Sequence, residues 1–420
     1  MPDSQHNAFR RTQRFALALA LPCLLVSCLY RQSIDPEFHD FGQYYMAAVI
    51  ARAGAWDSLY PIPDPASNDN AGWAHASRMT PRYARLAAEH GVGDVNRFIQ
   101  PPPMALLLTP LAWLSFEHAH LVWLMLMTLA AGGLGLTACH IYRLSGGQAP
   151  WVAFGLVFSV VCSPLMVRSI RTGQVSPLVA LCLGAAVITL AKHEDIKTAL
   201  AVSVGGLAKY VTFALLPVML IAKRGKTLAG LAALSVLARG STLAVIGRGP
   251  FEIFIRDLLP TFSRPNPWRG NQSISGFLMR VQGIEVFGFS EAAVIRAMAA
   301  AVLAWLVWII YRRGMTDSVR WLLPASCTLV CWFVIFSPIA WEHYQLYLCP
   351  FWGWLIHGAE QSVRWRITIV AAIASSASSL AVLPVIALPE PLLSHMLWSG
   401  IVFLTYSAYQ LVHQDDAHPT

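Results

Sequence analysis

Long apolar runs alternate with short polar breaks along this chain, and the breaks carry nearly all of the charge. A membrane-crossing helix needs about 20 mostly apolar residues, because about 30 Å of hydrocarbon is spanned at about 1.5 Å per residue. Runs of this kind fall at Arg14–Tyr30, Leu121–Tyr142, Trp151–Val167, Pro177–Ala191, Ala199–Ala222 and Leu228–Ile246. They continue at Ala292–Tyr311, Trp321–Phe336, Tyr344–His357, Ile367–Ile386 and Met396–Val412. Lys209 interrupts the Ala199–Ala222 run, which reads either as one span or as two short ones meeting at the lysine. The proline-rich "PPPMALLLTPLAWLS" (Pro101–Ser115) is short and is expected to be half-inserted on the outer face. The pattern predicts an all-α polytopic membrane protein with about 12 transmembrane helices and further helices in external loops.

Charge orients this threading. Arg10, Arg11 and Arg14 precede the first run, and Arg143, Lys192, Lys197, Lys223, Arg224 and Lys226 then fall in alternate loops. Arg312, Arg313, Arg320, Arg364 and Arg366 follow on the same side. Basic loops stay cytoplasmic, so both termini are expected inside and the long loops 31–100 and 248–290 outside. The expected organisation is a cytoplasmic tail at 1–13, one transmembrane domain at 14–412 and a second tail at 413–420. The first run also fits a cleaved signal peptide, with "LVSC" ending at Cys28 as a loose lipoprotein box, but the many later runs favour an anchor helix.

Composition agrees: 56% of residues are hydrophobic and 12% charged, where a soluble protein carries about a quarter charged. The eight cysteines lie mostly in apolar runs with no CxxC pair, so no metal framework is visible. Part of the net charge of +8 lies outside the predicted cytoplasmic loops, at Arg168, Arg171, Arg248, Arg256, Arg264, Arg269 and Arg280. A cationic external surface beside lipid suits an anionic headgroup or a phosphate-bearing substrate. There is no nucleic-acid module, Gly-rich phosphate loop or nucleotide-binding fingerprint.

Polar islands on the predicted outer side hold the candidate chemistry. In "HDFGQYYMAAVIARAGAWDSLYP" (His39–Pro61), Asp40 precedes a helical run, Phe41–Ala53, that Gly54 can terminate. Asp40 is an N-cap on one reading and a chemical group at the membrane interface on the other. Tyr44 and Tyr45 suit an interfacial aromatic belt or a sugar platform. Further islands are "RSIRTGQVSP" (Arg168–Pro177), "GLAKYVTFALLP" (Gly206–Pro217), "NQSISGFLMR" (Asn271–Arg280) and "FSPIAWEHYQLYLCPF" (Phe336–Phe351). Gly173-Gln174 reads as a turn, Asn271-Gln272-Ser273 as a helix cap, and His343 in isolation as a structural hydrogen-bonder. Lys209 is harder to read as structural, because a lysine at a span's centre costs about 2.5–3.5 kcal/mol and usually faces a cavity or a partner.

These stretches, taken in order, resemble glycosyltransferase family 87. Asp40 with the tyrosine-rich helix to "GAWDSLYP" is followed by "FIQPPPMALLLTPL", "TGQVSPLVAL", "AKYVTFALLP", "NQSISGFLMR" and "SPIAWEHY". Proteins of that family are polyprenol-phosphate-mannose-dependent alpha-1,2-mannosyltransferase-like members of the GT-C superfamily, and the resemblance covers residues 14–412. The chain departs from the family pattern at Lys209-Tyr210, where "KP" is common, and at Tyr344, where a second histidine is common. The resemblance implies a GT-C-type fold in the cell (plasma or inner) membrane with its site on the external or periplasmic face. It implies transfer of a hexose, mannose first, from a polyprenyl-phosphate donor to a glycan or lipid acceptor; no cofactor or nucleic-acid partner is expected, and no metal is indicated. It further implies an inverting displacement with Asp40 as base. Lys209, Arg171, Arg280 and His343 are then the candidates to meet the phosphate. Tyr44, Tyr45, Gln174, Asn271, Gln272 and Ser273 complete the substrate contacts, with Glu342 a further contact or the orienter of His343. A lipid or solute transporter is the rival from another class, since many spans, a mid-membrane lysine and broken helices also describe transporters.

Overall fold

The computed structural model describes residues 3–34, 39–60, 80–93, 96–260, 267–282, 289–314, 321–378, 392 and 394–413. Parts of the two long loops, the end of the Ile367–Ile386 run, Arg264, Arg320 and the tail beyond residue 413 lie outside the described residues. Among the described residues there is no strand, only an isolated bridge between Asn271 and Trp341. The helices are α1 (Asp3–Ile34), α2 (His39–Arg52), α3 (Pro81–Glu89), α4 (Pro102–Leu108), α5 (Phe116–Leu144), α6 (Pro150–Val161), α7 (Pro164–Arg171), α8 (Ser176–Ala191) and α9 (Asp195–Ala208). There follow α10 (Leu216–Ile221), α11 (Gly225–Ile246), α12 (Gly249–Ile253), α13 (Ile274–Gln282), α14 (Phe289–Gly314), α15 (Leu322–Phe336), α16 (Trp352–Gly358), α17 (Val363–Ala377) and α18 (His395–His413).

Five of these segments are long and apolar enough to cross a membrane: His6–Tyr30, Phe116–Leu144, Pro150–Arg171, Gly225–Ile246 and Ala292–Gly314. Helix α5 sits at the centre, packed on α1, α6, α8 and α16, whereas α11 and α14 lie outside. Their outward faces show Val236, Leu237, Trp305 and Trp308 largely exposed. Exposed apolar faces of that kind are a liability in water and are neutral against lipid tails. The chain is an all-α membrane protein.

Several apolar runs are broken, each for a local reason. Pro164 has no N–H to continue α6, and Ser163 restarts the chain by accepting from Met166 N as the N-cap of α7 (3.1 Å). At Lys209 the backbone is extended (φ −153°, ψ 139°), separating α9 from a 3₁₀ turn, Tyr210–Leu215, and from α10. The 342–358 region is a 3₁₀ segment, Glu342–Phe351, containing Pro350, followed by α16. The Pro101–Ser115 stretch forms α4 and a 3₁₀ turn, Thr109–Trp113, packed on α2. At about 1.5 and 2.0 Å per residue these two pieces reach about 20 Å, too short to span. Residues 3–13 are helical and continuous with the rest of α1.

The basic breaks gather at one end of the bundle. Arg143 pairs with His6 Nδ1 (2.9 Å), Arg224 with His193 Nδ1 (2.5 Å) and Leu190 O, and Arg313 with the last carbonyls of α18. The opposite end carries the N-terminus of α2, the α7–α8 turn, the α9 break and the 268–273 and 337–343 loops. A cavity opens there.

Candidate functional site

The cavity has a volume of about 560 Å³ and collects side chains from six separate stretches of the chain. Asp40, Tyr44, Gln174, Lys209, Glu342 and His343 all line it. Arg171, Tyr45, Asn271, Gln272, Ser273 and Arg280 are not among its lining residues.

Helix α2 places Asp40. The residue stands inside the first turn, since the helix begins at His39, two positions earlier than a capping Asp40 requires. The free amides at the helix start are taken by a carbonyl: Asp40 N and Phe41 N both donate to Thr172 O (3.2 and 3.1 Å). The carboxylate is thereby released from capping and accepts from side-chain amides, Asn96 Nδ2 at 2.8 Å and Gln43 Nε2 at 3.3 Å, both on Oδ1. At the other end Ala55 N donates to Ile50 O and Gly54 N to Ala51 O, closing the helix with Gly54 at φ +60°. This is the left-handed glycine stop legible in the sequence.

Helix α7 ends in the same way, and its ending builds the site. Gln174 N donates to Ser169 O and Gly173 N to Ile170 O, with Gly173 at φ +84°. Gly173 O accepts from Trp123 Nε1 at 2.8 Å, which ties the turn to α5. The residue on one side of the glycine holds the start of α2 through its carbonyl, and the residue on the other reaches Lys209.

Lys209 sits in the break between α9 and the 3₁₀ turn. Its ammonium donates to Gln174 Oε1 (3.2 Å), Ser176 Oγ (3.3 Å) and His343 Nε2 (3.0 Å), and lies 4.7 Å from the centroid of the Tyr344 ring. An ammonium only donates, so with Lys209 protonated the ring nitrogen facing it is the acceptor and the imidazole proton sits on Nδ1. All three acceptors are uncharged. They position the cation without cancelling it, the Asp40 carboxylate acts on it from the same cavity, and a positive charge held by neutral ligands favours an anion.

The 337–343 loop is held from behind by the 268–273 loop. Asn271 Oδ1 accepts from Ala340 N (2.9 Å) and Ser273 N (3.2 Å), while its Nδ2 donates to Pro338 O (3.1 Å). Gln272 N donates to Ala340 O (2.6 Å), Glu342 N to Gly270 O (3.0 Å), and Ser273 Oγ to Pro338 O (3.3 Å). Arg280 ties this unit to Asn271 O (2.8 Å), Trp268 O and Ser394 Oγ. The asparagine amide makes three bonds inside the protein and is fully buried, so this motif acts on the cavity through the loop it carries. Tyr45 likewise donates to Leu114 O (2.9 Å) and packs edge-on against Phe116, fixing α2 to the chain before α5.

Three cavity residues escape a reading of the sequence alone. Arg168, counted there only as loop charge, stands on α7 and forms an ion pair with Glu342, whose side chain is 6% exposed. Asn96 reaches Asp40 across 56 positions of sequence. Trp268, half exposed, meets Trp341 edge-to-face with ring centroids 5.3 Å apart. A lone arginine, asparagine or tryptophan in a loop carries no local signal; each acquires meaning from a partner distant in the chain.

The model of glycosyltransferase family 87 matches residues 98–338. Two curated relatives are similar to this chain. A polyprenol-phosphate-mannose-dependent alpha-(1-2)-phosphatidylinositol pentamannoside mannosyltransferase of Mycobacterium tuberculosis (strain CDC 1551 / Oshkosh) is 28% identical over 270 residues, 62% of this chain and 58% of that protein. A protein of the same description from Mycolicibacterium smegmatis (strain ATCC 700084 / mc(2)155) is 26% identical over 272 residues, 64% and 63% of the two chains. The chain spans about three fifths of the length of the curated relatives it matches. The family match includes Arg168, Gln174, Lys209 and Asn271, while Asp40, Asn96, Glu342 and His343 lie outside it.

Proposed function

Because the chain belongs to glycosyltransferase family 87, we propose that it transfers a hexose, mannose foremost, from a polyprenyl-phosphate carrier to an acceptor at the outer face of the cell membrane. The proposed fold is of GT-C type, with about 12 crossings in one domain over residues 14–412. The basic helix ends gather opposite the cavity, and by the positive-inside rule this supports an external site. The descriptions of the two relatives make a phosphatidylinositol-type glycolipid the first acceptor to test.

One observation carries the reading: a single cavity holds a carboxylate released from capping and a lysine ligated by neutral groups. In the proposed inverting step the acceptor hydroxyl oxygen bonds to the anomeric carbon as the bond from that carbon to the phosphate oxygen breaks. The electron pair leaves with the lipid phosphate, and the hydroxyl proton passes to Asp40. One base suffices, unlike the carboxylate pair of most glycoside hydrolases. The departing phosphate gains one negative charge, and Lys209 is positioned to stabilise it, taking a phosphate oxygen in place of its longest contact, Ser176. Gln174 and His343 hold the ammonium, and Asn271, Gln272, Ser273 and Arg280 hold the loop bearing Glu342 and His343. Arg171 and Tyr45 are proposed to act through the turn and the helix they belong to.

The test is reconstituted protein supplied with polyprenyl-phosphate mannose, glucose and arabinose, with product masses read by mass spectrometry. An acceptor heavier by one sugar supports the reading. Label that crosses the bilayer with unchanged mass overturns it in favour of a transporter.

A further inference from the structure

We propose that Asn96 and Gln43 pin Asp40 by a single oxygen, Oδ1, so that Oδ2 is the atom that takes the proton, and that Asn96 is a positioning residue for the transfer. The inference rests on the reading of Asp40 as the base and assigns the atom and its holders.

Both amides converge on Oδ1, Asn96 Nδ2 at 2.8 Å and Gln43 Nε2 at 3.3 Å. A carboxylate only accepts, so each amide must turn its NH₂ group toward it, and the orientation of both side chains follows. The two donors approach from different elements. Gln43 is one turn along α2, on the face that carries Asp40 at i,i+3, and is buried. Asn96 comes from the segment 96–101, which runs beside that helix and is fastened to it a second time. There Gln100 Nε2 donates to Tyr44 Oη (3.4 Å), and Tyr60 Oη donates to Gln100 O (2.6 Å). The two contacts, 40 to 96 and 44 to 100, advance together along helix and segment, so the position of Asn96 is set by the helix that bears the base.

Among the described residues no donor reaches Oδ2. The backbone amides of Asp40 and Phe41 are directed elsewhere, to Thr172 O. Asp40, Gln43 and Asn96 all line the cavity. A base held by one oxygen cannot swing away from an incoming hydroxyl, and its second oxygen is left to accept the proton along one direction. Displacing a reacting group by about 1 Å can lower a rate by about 10²-fold, which is the scale on which this holding acts.

A double-mutant cycle in the reconstituted full-length chain tests the proposal, using whichever of the three lipid-linked sugars supports wild-type transfer. Asn96→Leu is expected to lower kcat by about 10–100-fold with the donor KM within about twofold. In the Asp40→Asn background the same change is expected to alter the residual rate by less than about twofold, because a positioning residue acts only through the base it positions. Equal fold-losses in both backgrounds would make Asn96 merely structural and overturn the proposal, as would wild-type kcat in Asn96→Leu. If Asn96→Leu fails to assemble, Gln43→Met runs through the same cycle with the same two expectations. The parent reading fails differently: wild-type turnover in Asp40→Asn, or no transfer from any of the three donors, removes the base and this inference with it.

Discussion

Gly173 stands against Phe41 so closely that a Cβ at position 173 would lie 2.4 Å from Phe41 Cβ and 2.6 Å from its amide nitrogen. The contact joins the turn that presents Gln174 to Lys209 with the first turn of the helix that carries Asp40. Gly173→Ala therefore meets two obstacles, the backbone contact and a φ of +84°, where a residue with a side chain pays about 1–3 kcal/mol. The expected outcome is a lower thermal midpoint in detergent together with a loss of transfer, because moving the turn displaces both halves of the site. Unchanged stability and turnover in Gly173→Ala would show that the two halves are not mechanically joined here.

Lys209→Ala removes the cation and leaves Gln174, Ser176 and His343 without their common donor. All three are neutral, so their loss of a partner is modest beside the loss of a charge-assisted contact to phosphate, worth about 1.5–3 kcal/mol. Donor kcat/KM is expected to fall by about 10–100-fold while the protein remains extractable and monodisperse. Lys209→Arg is expected to fail as well, since a planar fork replaces a compact ammonium inside a fixed ring of acceptors. Wild-type turnover of Lys209→Ala at limiting donor would remove the lysine from the phosphate site.

Much of this fold was legible because its signals are local. Hydropathy marks the long helices, the lysine marks the break at 209, and Gly54 and Gly173 mark helix ends. The candidate site was legible where a residue type is costly in its surroundings, as for Lys209, where it sits at a helix start, as for Asp40, and in the polar islands that hold Tyr44, Gln174, Glu342 and His343. Partnerships between distant residues left no trace: Arg168 with Glu342, Asn96 with Asp40, Asn271 with the backbone of residues 338–340. Asn271 and Arg280 illustrate the cause. Their side chains look as able to bind a ligand as any other, until the fold shows that backbone carbonyls and amides already engage them.

The gathering of basic helix ends away from the cavity makes a topology prediction. Reporter fusions after Lys226 and Arg313 are expected to score cytoplasmic. Fusions at Pro267 and at Asn70, the latter outside the described residues, are expected to score external. An internal Asn70 would put the loop next to Asp40 on the side where lipid-linked sugars are not proposed to be used, and the external mechanism would fall with it.

Asp40→Asn separates the two roles that the sequence left open for this acid. Asparagine caps a helix about as well as aspartate, so a capping role makes the change nearly silent. The structure sharpens the comparison, since the first amides of α2 already donate to Thr172 O and the side chain is left to Asn96 and Gln43. Asparagine keeps a carbonyl oxygen for those two amides, so shape and anchoring persist and only the capacity to take a proton is lost. Base catalysis contributes about 10²–10⁴-fold, and turnover is expected to fall by that range at equal abundance and thermal stability. Asp40→Glu keeps the charge but carries it one methylene further, past the oxygen position that Asn96 holds, and is expected to rescue poorly. Wild-type turnover in Asp40→Asn would return the acid to a structural role and send the search to the other carboxylates. Glu342 would come first, because it lines the cavity beside Arg168. Asp57 would come second, because it is exposed and paired with Arg82 (3.2 Å) and is not among the cavity's lining residues.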